Sequence, residues 1–423
     1  MRWDSKFSFI AVRVILAAVG VLRTIAVIRL LSLEDYALVG IVESTRNLVS
    51  TLLGFGVGDS ISREGAIEKD HNKFAGLIFA SFFSATGLNI ITGCCLYILS
   101  FYTAQFSIDP KAAGFLIIAV LISTVERYWL LSLSVIRIQD GHKSFLVYSF
   151  LNGLLGAAFT IYLTWRYGLI GYFHSQWVIG AFLLLFLIVH IALKLRSYQL
   201  NKSVFTGLIG AMSRLWAVSW FMYMSKGSGV IWRRAPLLLG SQVVDSQAIG
   251  IIAISLDLAT KLQLLQQSLS PLIIPKLSKQ FVESKSRFYK AAKTELKQIF
   301  SLTVSACIAG FILWAYLGDL LIGRERWLMI GGFFYLAIAV EFSLAIVGLF
   351  NICIMIPTKT VDGLSLITIG VRLCTVPLLY GLIVSKMDNT IAILVAMLVP
   401  GVLLAGIYSV KGYLILRNIR NTE

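Results

Sequence analysis

The sequence predicts an all-α membrane protein of about 12 transmembrane helices in two six-helix bundles related by pseudo-two-fold symmetry. Three observations predict it. The chain of 423 residues is 58% hydrophobic and only 14% charged, a balance that leaves too little polar surface for a water-soluble domain of that size. Apolar stretches of roughly 20 residues, the length that crosses a hydrocarbon core of about 30 Å, follow one another almost end to end. The sequence also aligns weakly with itself at an offset of 210 residues, close to half its length.

Reading the apolar stretches in order places spans near 10–31, 37–58, 74–101, 112–136, 144–165 and 169–193, then 215–239, 247–275, 298–316, 327–351, 361–384 and 390–410. Short polar breaks separate them. The first follows only nine residues, exceeds a signal-peptide core in length and has no small-residue cleavage site after it, so it is expected to be retained. Nothing is left over for a globular domain. Pro236, Pro271, Pro275, Pro357, Pro377 and Pro400 lie in the second half against Pro110 alone in the first, so bent helices are expected mainly in the second.

Basic segments resist translocation, and this fixes the expected orientation. The two termini and every second connection carry 22 Lys and Arg, seven of them between Lys276 and Lys297, whereas the other side carries five. Both termini are therefore expected in the cytoplasm of a multi-pass inner-membrane protein. Most of the net charge of +16 is topological, and no nucleic-acid partner is implied.

At the 210-residue offset Arg23, Asp35, Gly40, Ile41, Leu48, Leu52 and Ser60 align with Arg233, Asp245, Gly250, Ile251, Leu258, Leu262 and Ser270. Such faint internal symmetry is what repeated transporter halves retain. The match pairs the first two helices with the seventh and eighth. Six helices per half is an even number, so the halves are parallel repeats and a cavity between them is expected. The domains read as 1–194, an N-terminal six-helix bundle; 195–214, a cytoplasmic linker; and 215–423, a C-terminal six-helix bundle. In the linker, Leu200, Val204, Leu208 and Met212 recur every four positions, the pattern of a short amphipathic surface helix.

Cys94, Cys95, Cys307, Cys353 and Cys374 fall in or at the edge of apolar spans with no CxxC, and His71, His142, His174 and His190 are scattered. Neither a disulfide framework nor a metal or cofactor site is indicated.

An ionisable group inside a membrane is costly, so those that persist face a cavity or a partner. The spans hold ten cations, namely Arg13, Arg23, Arg29, Arg46, Arg127, Lys226, Arg233, Arg234, Lys261 and Arg372, against Glu43, Glu126, Asp257 and Glu341. Glu43 with Arg46 at i,i+3 and Asp257 with Lys261 at i,i+4 suit helix-face ion pairs. Glu126 and Arg127 are adjacent and point apart. The remainder, Arg13, Arg23, Arg29, Lys226, Arg233, Arg234 and Arg372, has no local partner. Arg29 and Arg234 are close enough to a helix end to reach the interface. On the seventh span Ser219, Met222, Lys226, Gly229 and Arg233 share one face, with the two cations about 10 Å apart. Lys226-Gly227-Ser228-Gly229 reads either as a close helix contact or as an unwound segment. Arg and Lys in a low-dielectric cavity recognise phosphate. Arg13, Arg23, Arg46, Lys226, Arg233 and Arg372 are the expected substrate-binding residues, Asp257 and Glu341 the candidates for ion coupling, and no catalytic residue is expected.

The run Ile28-Arg29-Leu30-Leu31-Ser32-Leu33-Glu34-Asp35-Tyr36-Ala37-Leu38-Val39-Gly40 resembles the "R-x-L-x-x-x-[DE]-[FY]-G" close of the first helix in oligosaccharide flippases of the polysaccharide biosynthesis family, although Ala37 stands where that family often has Gly. Leu53-Gly54-Phe55-Gly56-Val57-Gly58-Asp59-Ser60-Ile61-Ser62-Arg63 resembles its glycine-rich close of the second helix, and Pro271-Leu272-Ile273-Ile274-Pro275-Lys276-Leu277-Ser278 its "hPxls" close of the eighth. Trp232-Arg233-Arg234 departs from the family's frequent "DR". The family belongs to the multidrug/oligosaccharidyl-lipid/polysaccharide exporter superfamily. The resemblance implies a transporter, not an enzyme, that moves an undecaprenyl-diphosphate-linked oligosaccharide to the outer leaflet by alternating access for surface polysaccharide such as O-antigen. Its implied partners are the lipid-linked oligosaccharide, membrane lipids and the polysaccharide polymerase and chain-length proteins, with the chain itself a monomer. Two other readings stay open: a drug or metabolite antiporter of the same superfamily, and a membrane glycan polymerase or acyltransferase.

Overall fold

The computed structural model describes residues 6–54, 57–68, 70–106, 111–196, 207–358, 360 and 362–421. All the regular structure among them is helical. In chain order the helices are α1 (Lys6–Leu30), α2 (Leu33–Leu52), α3 (Val57–Ile67), α4 (His71–Phe106), α5 (Lys111–Asp140), α6 (His142–Arg196) and α7 (Leu208–Gly240). Then follow α8 (Ser246–Thr260), α9 (Leu264–Glu283), α10 (Lys285–Ile322), α11 (Arg324–Phe350), α12 (Asp362–Leu373), α13 (Thr375–Val384) and α14 (Asn389–Asn421). A 3-10 turn, Lys261–Gln263, joins α8 to α9, and a π turn, Asn351–Met355, closes α11.

Among the described residues seven helical stretches are long and apolar enough to cross a bilayer, one of them running through α12 and α13 together. Another crosses twice. A straight α6 of 55 residues would be about 80 Å long, far beyond a membrane. It is a hairpin, broken at Gly168, whose φ of 60° and ψ of −138° lie in a region that side chains avoid. Ser175 Oγ donates to Thr160 Oγ1 at 3.0 Å, although fifteen residues of straight helix would hold them about 22 Å apart. The break falls between the expected spans 144–165 and 169–193. The charged helices α1, α2 and α7, with the broken pair α8 and α9, bring the spans to about twelve.

By contact the chain forms two compact units, one over Leu38–Val230 and the other over Lys6–Ala37 with Ile231–Glu423. The first is built on α4, α5 and the α6 hairpin, around Leu77, Ile78, Leu131, Ile136, Leu187 and Leu215. Leu208 and Met212, from the expected linker, pack against that core; Leu200 and Val204 lie outside the described residues. The second unit is built on α11 and α14, with α8, α9 and α10 around them. Helix α1 packs on α8, the 3-10 turn, α9 and α10, so by contact it belongs to the second unit. Contact units and the repeat-based halves 1–194 and 215–423 are different divisions of the chain.

Large apolar side chains cover the outside. Phe83, Ile90, Tyr97 and Phe101 on α4, and Ile308, Phe311, Ile312 and Tyr316 on α10, are all exposed. Water would penalise that surface heavily and lipid does not.

Candidate functional site

Charged side chains within the spans gather in three places. In the first unit, Arg46 on α2 is 6% exposed. Its Nε and Nη2 donate to Glu43 Oε2 at 3.1 and 2.6 Å, and its Nη1 donates to Glu126 of α5. The i,i+3 pair is formed as the spacing suggests. The second carboxylate, eighty positions away, gives this cation two anionic partners. Arg127 turns the other way, and its Nη2 donates to Ser50 O at 3.2 Å and Thr92 Oγ1 at 3.0 Å.

In the second unit Asp257 is the centre of another cluster. Lys261 Nζ donates to its Oδ1 at 2.7 Å, and Tyr36 Oη to its Oδ2 at 2.8 Å. Thr24 Oγ1 approaches Oδ2 at 3.5 Å, and the charge of Arg23 acts on the same carboxylate. The 3-10 turn that follows is where α8 ends.

The third cluster, also in the second unit, is the cationic one. Glu341 on α11 is 3% exposed. Arg233 Nη2 sits between its oxygens, 2.6 Å from Oε1 and 2.5 Å from Oε2. Arg234 adds a second positive charge acting on Glu341, and Arg372 of α12 is close enough for its charge and that of Arg233 to repel. Gln263 Nε2 donates to the Glu341 carbonyl at 3.0 Å, tying the 3-10 turn to this helix. Arg233 thus binds the Glu341 carboxylate, Arg234 adds its charge to it, and Arg372 faces Arg233. Arg233, without a partner on its own helix, has one 108 positions away.

The remaining expectations divide. The side chains of Arg13 and Lys226 lie outside the described residues. Helix α7 runs unbroken through Lys226-Gly227-Ser228-Gly229, so the unwound alternative is not the one formed. Instead a Cβ on Gly227 would stand 3.3 Å from Leu52 Cδ2, the mark of a close helix contact. Arg29 is exposed, as expected of a side chain near a helix end, but it does more than reach the interface. Its Nε donates to Leu321 O at 2.6 Å and its Nη2 to Leu320 O, satisfying carbonyls at the end of α10. Arg326 returns the arrangement by donating to Ile28 O at the end of α1. No group of metal-ligating side chains occurs among the described residues.

No known family's sequence profile matches the chain, and no curated protein is similar to it in sequence. Solved structures are similar in fold. A multidrug resistance MATE family transporter of the MOP superfamily, in its inward-facing conformation, superposes with a TM-score of 0.72 at 12% identity, covering 98% of this chain and 99% of that one. The lipid II flippase MurJ, in an inward closed conformation, gives 0.67 at 15% identity over 99% of this chain and 93% of that one. A MOP superfamily transporter from Pyrococcus furiosus, described as having a binding pocket of reverse polarity, gives 0.54 at 13% identity over 97% and 96%. Over essentially its whole length, this chain has the fold of MOP-superfamily transporters, a multi-pass membrane architecture.

Proposed function

We propose that this protein is a flippase that carries an undecaprenyl-diphosphate-linked oligosaccharide from the cytoplasmic to the outer leaflet of the inner membrane, for surface polysaccharide assembly. One observation carries the reading: within the spans of the second unit Arg233 and Arg234 both act on the carboxylate of Glu341, and Arg372 lies within reach of the charge of Arg233. Such a surplus of guanidinium in low dielectric favours a polyanion, and a planar fork matches phosphate oxygens. Arg13, Arg23 and Lys226 add to the same balance of charge. In this reading the two halves rock to expose the head group to each side in turn while the polyprenyl tail stays in lipid, and both termini are cytoplasmic. A polymerase and a chain-length protein would take the product onward.

The fold is shared equally with a drug-efflux family, so an antiporter is the second reading. Its cationic substrates call for carboxylates available to them. Here Glu43 and Glu126 hold Arg46, Asp257 holds Lys261, and Glu341 holds Arg233. Every span carboxylate expected from the sequence already faces a cation.

The deciding experiment reconstitutes the purified protein in liposomes with a fluorescent polyprenyl-diphosphate oligosaccharide in the inner leaflet. The expected result is its appearance in the outer leaflet at a rate well above protein-free vesicles. Transport of a cationic dye with no movement of the lipid would favour the antiporter.

A further inference from the structure

A cluster outside the sites above lies at the end of the first unit where α5 turns into α6. Helix α5 ends at Asp140, Gly141 makes the turn with φ of 74°, and the hairpin returns its second arm to the same place. Asp140 is almost covered, its side chain 12% exposed. His190 Nε2 lies 2.6 Å from its Oδ2 and Lys194 Nζ lies 3.0 Å from its Oδ1. Tyr148, on the first arm, places its hydroxyl 3.1 Å from His190 Nδ1. Three helical segments therefore fix one imidazole, one ammonium and one phenol in a set geometry.

These groups stand at the mouth of a groove of about 600 Å³ lined by Tyr148, Phe186, Val189, His190, Leu193 and Lys194. Its walls, Phe186, Val189 and Leu193, are about half exposed or more, and they belong to the surface turned to hydrocarbon. The groove is thus apolar along its length and polar at one end. Lys194 keeps 47% of its side chain exposed there, with its ammonium at the polar end of the groove. The chain segments at this end also carry Arg137, Lys143 and Arg196, so cations outnumber the carboxylate of Asp140. A ligand matching all of this has a negatively charged head and an alkyl tail.

We propose that this groove binds an anionic phospholipid of the surrounding bilayer, with its phosphate on Lys194 and one acyl chain along Phe186, Val189 and Leu193. Asp140 acts as the positioning residue, because it holds Lys194 and His190 in place without reaching the lipid. The site is separate from the arginines of the second unit and stands whether or not the transported substrate is a lipid-linked sugar.

The test uses the full-length protein in detergent, with phosphatidylglycerol and phosphatidylethanolamine offered in equal amounts and retained lipid read by native mass spectrometry. Wild-type protein should prefer phosphatidylglycerol, and Lys194→Gln should lower that preference by about fivefold, the scale of one lysine at a membrane surface. Val189→Trp fills the groove and changes no charge, and it should release the lipid. Lys143→Gln with Arg196→Gln removes two neighbouring cations and should leave the preference standing. Equal preference in wild type and Lys194→Gln would overturn the proposal. So would loss caused as strongly by the neighbouring pair, which would mean a diffuse basic surface, or full displacement of the lipid by inorganic phosphate, which would mean a site for the free ion.

Discussion

One guanidinium nitrogen of Arg233 lies 2.6 and 2.5 Å from the two carboxylate oxygens of Glu341, joining α7 to α11 across 108 positions of sequence. The two partners are unequally covered, with Glu341 at 3% and Arg233 at 30% side-chain exposure. Removing one member of a buried pair strands the other, at a cost of about 3–5 kcal/mol when the survivor is fully covered. Arg233→Ala strands the covered carboxylate, whereas Glu341→Gln strands a cation that water can reach. Denaturant unfolding in detergent should therefore show Arg233→Ala as clearly the more destabilised of the two. Equal losses would mean that the pair's burial does not set its energetics.

Gly250 on α8 provides a steric test. A Cβ at this position would overlap the backbone carbonyl of Leu33, a neighbour that cannot rotate away. Gly250→Ala should cost about 1–3 kcal/mol, the usual price of forcing atoms into a filled space. Gly20→Ala is the control, since nothing stands within 4 Å of its Cβ. Thermal unfolding of both variants side by side should separate them by several degrees.

The hairpin of α6 is checked by chemistry across its arms. In a background lacking Cys94, Cys95, Cys307, Cys353 and Cys374, a Thr160→Cys, Ser175→Cys variant should oxidise to an intramolecular disulfide, because the parent hydroxyls are 3.0 Å apart. A continuous helix would keep them apart and reduced. Gly168→Ala should lower stability by about 1–3 kcal/mol because its φ is one that a side chain resists.

What the sequence disclosed depended on the range of each signal. Apolar length revealed α4, α5, α10 and α14, and a polar interruption separated the two arms of α6, because each of these is a property of consecutive residues. The pairs Glu43–Arg46 and Asp257–Lys261 were legible for a similar reason: a helix surface brings i,i+3 and i,i+4 positions together. No such rule reaches from Arg233 to Glu341 or from Arg46 to Glu126, which meet only through packing of separate helices. Scattered histidines suggested no site, yet His190 meets Asp140 and Tyr148 once the hairpin closes. The packing of α1 on α8, α9 and α10 leaves no mark in the periodicity of α1 itself.

The cations proposed to hold the substrate head group are Arg13, Arg23, Lys226 and Arg233, with Arg372 beside Arg233. Replacing any one by Ala should remove phosphate contacts worth about 1.5–3 kcal/mol, and Lys in place of Arg should restore only part because the planar fork is lost. Arg29→Ala should instead lower stability and spare export, since that side chain is spent on the carbonyls of Leu320 and Leu321. Arg233 needs a subtler variant, because its loss also strands Glu341. The double change Arg233→Gln with Glu341→Gln removes both charges together, so it should fold about as well as the wild type while failing in transport. Surface glycan in a complemented deletion strain, scored at matched protein level, provides the measurement. Normal glycan from this neutral pair would show that Arg233 serves Glu341 alone, and normal glycan from the quadruple Ala variant at Arg13, Arg23, Lys226 and Arg233 would remove the charge argument for a diphosphate substrate altogether.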